Sequence, residues 1–153
     1  MSRTEIDIDR PPADVYRVLV DPSAYVRWVV GARRLRGTDP AWPDPGTRFY
    51  HEVGVWPLVL RDNTKMLEAV PDERVVLEAR IRPAGVAKVT LLLEPRGSGT
   101  HVSILEEPAC GPIDKVPRAV TDPLVTLRNM WGLRRLKRLV EVQRRPTGER
   151  IPG

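Results

Sequence analysis

Residues 71–108 read PDERVVLEARIRPAGVAKVTLLLEPRGSGTHVSILEEP, three runs of near-equal length cut by prolines at 71, 83, 95 and 108. Within each run apolar and polar residues alternate, the period of a half-buried strand. Val75, Leu77, Ala79 and Ile81 oppose Glu78, Arg80 and Arg82. Ala87, Val89, Leu91 and Leu93 oppose Lys88, Thr90 and Glu94, and Val102, Ile104 and Glu106 oppose His101, Ser103 and Glu107. Asp72-Glu73 and Arg96-Gly97-Ser98-Gly99 suit hairpin turns. A central strand tolerates no internal proline, so the prolines are expected to bound the strands. The stretch predicts an antiparallel meander.

Upstream, Arg3 to Asp9 alternates with Ile6 and Ile8 on one side and reads as a first strand. Pro11-Pro12 then opens a helix through Val15, Val18 and Leu19, because proline is tolerated in a first turn. Asp21-Pro22 starts a second short helix with Asp21 as N-cap and Tyr25, Trp28 and Val29 on its apolar face. Residues 37–46 hold three prolines, two aspartates and Trp42 and read as a loop, a candidate pocket entrance. From Thr47 to Val55, Phe49, His51, Val53 and Val55 share one side, with Arg48, Tyr50 and Glu52 on the other. Trp56-Pro57 interrupts, and Val59 to Val70 reads as a strand whose inward face the pattern leaves open.

Downstream, Glu107 to Thr121 reads as a proline-rich connection containing the lone Cys110, a free loop thiol. Asp122-Pro123 repeats the cap-then-proline start and predicts a long helix to about Gln143. Its first half (Leu124, Val125, Leu127, Met130, Trp131) is apolar almost all round and is expected to be deeply buried. In its second half Leu133, Leu136, Leu139 and Val140 form a stripe opposite Arg134, Lys137 and Arg138. The domain expected is residues 1–145, with a frayed tail over 146–153.

The 153 residues suit one globular domain with its own core. No run approaches a membrane span, and the polar N-terminus lacks a signal-peptide core, which predicts a cytoplasmic protein. The net charge of +5 is uneven: residues 115–145 hold nine Lys/Arg against two acids, a local balance of +7. That asymmetry suits either a solvated helix face or an anionic partner. The basic face lacks interleaved aromatics, so nucleic acid is not expected, whereas peripheral membrane contact stays open.

The order of elements is strand, two short helices, about six further strands and a long C-terminal helix. With Ile8-x-x-Pro11-Pro12-x-x-Val15-Tyr16-x-Val18-Leu19-x-Asp21, Tyr25-x-x-Trp28, Trp42-Pro43-x-x-Gly46 and Gly99-Thr100-x-Val102, it resembles the SRPBCC (START-like, helix-grip, Bet v 1-like) superfamily. Within that superfamily it is similar to the polyketide cyclase/dehydrase and lipid-transport branch. The resemblance implies an α+β helix-grip fold: a bent antiparallel sheet of about seven strands grips the long helix around a largely apolar cavity. It covers the chain to about residue 143 and leaves the chemistry open, since such folds host binders, carriers and enzymes alike.

If the apolar sides of the strands face the helix, His51 and Glu106 point inward with them, and helical spacing brings Arg128 into the same arc. These three are the candidate catalytic residues, with His51 or Glu106 donating or accepting a proton and Asn129, Tyr50 and Arg80 as lesser additions. The alternative is a structural ion pair, since a buried carboxylate needs a partner. Trp28, Phe49, Met66, Leu77, Leu91 and Trp131 are the candidate ligand-contacting residues, or else plain core. Two distant histidines without a carboxylate cluster predict no metal site, and the absence of a Gly-rich strand–helix loop predicts no nucleotide cofactor. The leading expectation is binding of a small hydrophobic ligand (aromatic, polyketide-like or acyl). An aromatase/cyclase-type enzyme is the second, and a basic-helix interaction protein or peripheral lipid carrier the third.

Overall fold

The computed structural model describes residues 2–55, 57–81, 85–111 and 115–142. Strand β1 (Ser2–Ile8) leads into helices α1 (Pro12–Leu19) and α2 (Pro22–Trp28). Six strands follow: β2 (Ala32–Thr38), β3 (Arg48–Val55), β4 (Leu58–Val70), β5 (Arg74–Ile81), β6 (Gly85–Arg96) and β7 (Gly99–Cys110). Helix α3 (Arg118–Val142) closes the order. All seven strands form one antiparallel sheet, ordered β1-β7-β6-β5-β4-β3-β2, so the first strand closes onto the last.

Local chemistry accounts for the short helices. In α1 the spacing of Val15, Val18 and Leu19 buries one face, and Pro12 sits where no intrahelical N–H is needed. In α2 the Asp21 side chain accepts from the Ser23 N–H at 3.0 Å, capping an otherwise unpaired donor. Their apolar faces join Ile8, Phe49, Met66, Val75, Leu91, Val102, Leu133, Leu136 and Val140 in one core.

Helix α3 runs alongside β1 in the same direction. Thr126 meets Ser2 (Oγ1 to Oγ, 2.9 Å), Lys137 Nζ donates to the Asp7 carbonyl (3.0 Å), and Glu141 accepts from the Asp9 N–H (2.8 Å). The two rise in step: about 22 Å from Thr126 to Glu141 as helix and about 23 Å from Ser2 to Asp9 as strand.

The structure departs from the sequence expectations in four places. Pro95 and Pro108 lie inside β6 and β7 instead of bounding them. Pro108 faces Ala87 beside a register shift at Val86/Ala87, where a ladder hydrogen bond is already lost. Consequently β7 runs to Cys110, which ends a strand and does not lie in a loop. The residue pattern placed no strand over β2. Register shifts between Ala32 and Arg34 and between Leu35 and Gly37 erase its alternation. Finally, α3 begins at Arg118 and holds Pro123 internally, so Asp122 is not its cap. Val120 and Thr121 donate to the Pro117 carbonyl and start the helix one turn early. The expected tail over 146–153 lies outside the described residues.

Candidate functional site

A cavity of about 230 Å³ lies between the sheet and α3. Its wall is mostly apolar: Trp28 from α2, Val53 from β3, Leu77 and Ala79 from β5, Val89 from β6 and Ile104 from β7. Gly132 of α3 also lines it, and a Cβ there would sit 3.2 Å from the Trp28 carbonyl oxygen, so the glycine permits the close approach of α3 to α2. Two polar groups interrupt this wall.

The first group joins β7 to α3. Arg128 Nη2 donates to Glu106 Oε1 at 2.6 Å, and Asn129 Nδ2 donates to the same oxygen at 3.1 Å. Arg128 Nη2 also reaches Asn129 Oδ1 at 3.2 Å. The Glu106 side chain is 5% exposed and that of Arg128 34%, so the carboxylate is buried and the guanidinium spans from it toward solvent. Charge-assisted bonds of this kind offset the cost of burying the carboxylate.

The second group is a hydrogen-bonded chain from β3 through β4 to α2. Thr64 Oγ1 donates to Tyr25 Oη at 3.3 Å and lies 2.9 Å from His51 Nε2. Thr64 thereby links the His51 ring to the Tyr25 phenol. The His51 ring and the Trp28 indole are both buried. Burial, the main cause, holds the His51 pKa below its ordinary value; Asp62 and the Glu52 backbone oppose it, and Arg36 acts in the same direction as burial. His51 is therefore neutral at pH 7. Burial likewise raises the pKa of Tyr25, which stays a phenol.

Of the residues singled out from sequence, His51, Glu106, Arg128, Trp28 and Leu77 line this cavity together, with Asn129 and Arg80. Phe49, Met66 and Leu91 do not. They are buried in the core, and Phe49 packs edge-on between Tyr25 (centroids 4.7 Å apart) and Trp42 (4.9 Å). Tyr50 points outward to Asp39. The loop of residues 39–47 is no entrance to the cavity, since Trp42 donates from Nε1 to the Val20 carbonyl and packs on the core.

Trp131 is a clear correction: it is 53% exposed, as are Leu124, Leu127 and Met130 to comparable degrees, so this half of α3 is not deeply buried. A segment apolar on every side carries no phase. The face that docks here is Asn129, Gly132, Leu133, Leu136 and Val140.

Sequence reasoning passed over Tyr25 and Thr64 as polar site members, and over Asp62, which is buried and lies opposite His51 in the β3–β4 register. The signal was present. Arg61, Asn63 and Lys65 mark the outer side of β4, which sends Asp62, Thr64 and Met66 inward.

The model of a family described as polyketide cyclase/dehydrase and lipid transport matches residues 2–141. The chain belongs to this family. Solved structures agree on the fold. Protein CV1439 from Chromobacterium violaceum is 25% identical with a TM-score of 0.68, covering 91% of this chain and 96% of that one. Ara h 8.0201 superposes with a TM-score of 0.72 at 11% identity, covering 91% and 95%. DynU16, described as from the dynemicin biosynthetic locus, gives 0.67 at 15% identity and covers 92% of this chain but 47% of its own. No curated protein sequence matches the chain. The seven-stranded sheet and long C-terminal helix described above are those of a Bet v 1-like helix-grip fold. Among the described residues no helix is long and apolar enough to cross a membrane.

Proposed function

We propose that this member of the family binds a small hydrophobic molecule in the cavity between sheet and α3. The observation that carries the reading is a buried, hydrogen-bonded carboxylate–guanidinium–amide cluster and a neutral buried imidazole on one mostly apolar wall. Apolar surface supplies the affinity, and a few convergent polar groups fix orientation. Arg128 commits only Nη2 to its hydrogen bonds among the described residues, which leaves Nη1 and Nε for a carbonyl or carboxylate. Size narrows the class. A cavity of ~150 Å³ holds benzene, so about 230 Å³ suits one or two rings better than a sterol or a long acyl chain.

A second reading, cyclase-type chemistry, draws support from His51. A neutral imidazole in an apolar wall can accept a proton from an acidic C–H while Arg128 polarises the adjacent carbonyl, and the Thr64–Tyr25 chain orients the ring.

Ala79→Leu tests the binding reading. It adds carbon to the cavity without removing any polar partner. The thermal shift that one- and two-ring aromatic acids and ketones give the parent chain should disappear in the variant, while its ligand-free melting point is kept. Ligand shifts that persist in Ala79→Leu would place binding elsewhere, and no shift in the parent would remove the proposal.

A further inference from the structure

The solvent side of α3 has no counterpart in the cavity. Val120, Leu124, Leu127 and Trp131 follow one another at helical spacing and are all more than half exposed, Leu124 at 65%. Continuing the same spacing brings Arg134, Arg135 and Arg138, all exposed, onto this side. Arg135 and Arg138 also converge with Arg27 of α2 on an open surface groove floored by Leu139 and Val142. No acid lies among the groove residues, and the acids of α3 are turned away. Asp122 follows Val120 by two residues and so takes the opposite side, while Glu141 is bonded to Lys137 and to the Asp9 N–H.

This charge pattern selects the partner. Two copies packed antiparallel on these stripes would press arginines against Val120 and Leu124 with no carboxylate to answer them, and packed parallel they would oppose one cluster to its like. A surface that is itself anionic and has an apolar layer beneath satisfies both halves. Leucine, valine and a tryptophan enter the acyl boundary, and arginines take the phosphates.

We propose that the outer face of α3, with the Arg27–Arg135–Arg138 groove, docks the protein on anionic lipid bilayers. The helix lies in the plane of the interface, its apolar stripe below the headgroups. The contact is peripheral and reversible, and it weakens with salt.

The test is co-sedimentation of the full chain with vesicles of phosphatidylcholine, with and without 30 mol% phosphatidylglycerol. Partitioning should require the anionic lipid and fall between 0.1 and 0.5 M salt. Each arginine near such a surface is worth roughly fivefold in the partition coefficient, so Arg135→Gln/Arg138→Gln should lose about 25-fold. Leu124→Gln/Trp131→Gln should also lose binding. All four positions are exposed, and unchanged melting curves check that the variants fold. Absence of binding, equal binding to both vesicle types, or binding indifferent to both variants overturns the proposal. So does a dimer in sedimentation velocity that Trp131→Gln dissolves, which would assign the stripe to a second copy.

Discussion

Replacing Arg128 by methionine isolates the pair at the heart of the cavity. The Glu106 side chain is 5% exposed and accepts from Arg128 at 2.6 Å and from Asn129 at 3.1 Å. Removing one partner of a fully buried pair costs about 3–5 kcal/mol, whereas an exposed pair is worth about 0–1 kcal/mol. Arg128 is 34% exposed and Asn129 remains, so the cost falls between, at ~2 kcal/mol. For a chain of this size that is a fall in Tm of roughly 4–8 °C. The loss comes from stranding a carboxylate and not from lost packing, since methionine keeps most of the arginine stem. Adding Glu106→Gln should therefore recover most of the stability, because a neutral amide needs no countercharge, and the double-mutant cycle should show strong coupling. The assay is thermal and urea unfolding of the four variants at pH 7. A loss below 0.5 kcal/mol in Arg128→Met, or additive losses in the double variant, would refute the reasoning.

The two histidines should titrate on opposite sides of 6.5. Hydrogen bonding to Asp7, then to Glu5, raises His101, so its contribution is full below 6.5 and is lost as pH rises through its folded value. Burial lowers His51, so folding loses stability as pH falls from 6.5 toward its folded value, because the unfolded chain takes up a proton the native state refuses. NMR titration of the ring protons checks this, and two midpoints on the same side would contradict it. Gly54→Ala should destabilise by more than about 1–3 kcal/mol. Its φ is +115°, and a Cβ there would lie 2.1 Å from the Leu58 carbonyl oxygen, so the β3–β4 hairpin must move. A chemical-denaturation midpoint unchanged from the parent would show the hairpin to be more yielding than its geometry implies.

Much of the site was legible because β3 and β7 keep a period of two on their inward side. Period 2 sends His51 inward with Phe49 and Val53, and Glu106 inward with Val102 and Ile104. It was less legible where polar residues themselves face inward: Asp62 and Thr64 in β4 look like surface until Arg61 and Lys65 are seen to claim the other side. Which inward side chains meet the cavity and which fill the core does not follow from alternation. Phe49 and His51 share a face, yet one is clamped by Tyr25 and Trp42 and the other lines the cavity.

The sequence by itself determined the order of the elements other than β2, and its resemblance to the superfamily implied the helix-grip architecture. Caps and the strand period act over a few residues, and they held in the alternation of the meander and at Asp21-Pro22, whereas Pro95 and Pro108 were taken into β6 and β7 and Asp122 into α3. Only the tertiary structure decided the rest. Bulges in β2 hid a strand, and the Glu106–Arg128 and His51–Thr64–Tyr25 contacts needed elements from across the chain to close on one another. The first half of α3 is the sharpest case. Apolar on every side, it had no face of its own to choose. The small Gly132 over the Trp28 carbonyl, together with Asn129 over Glu106, turned Leu124, Leu127 and Trp131 out to solvent.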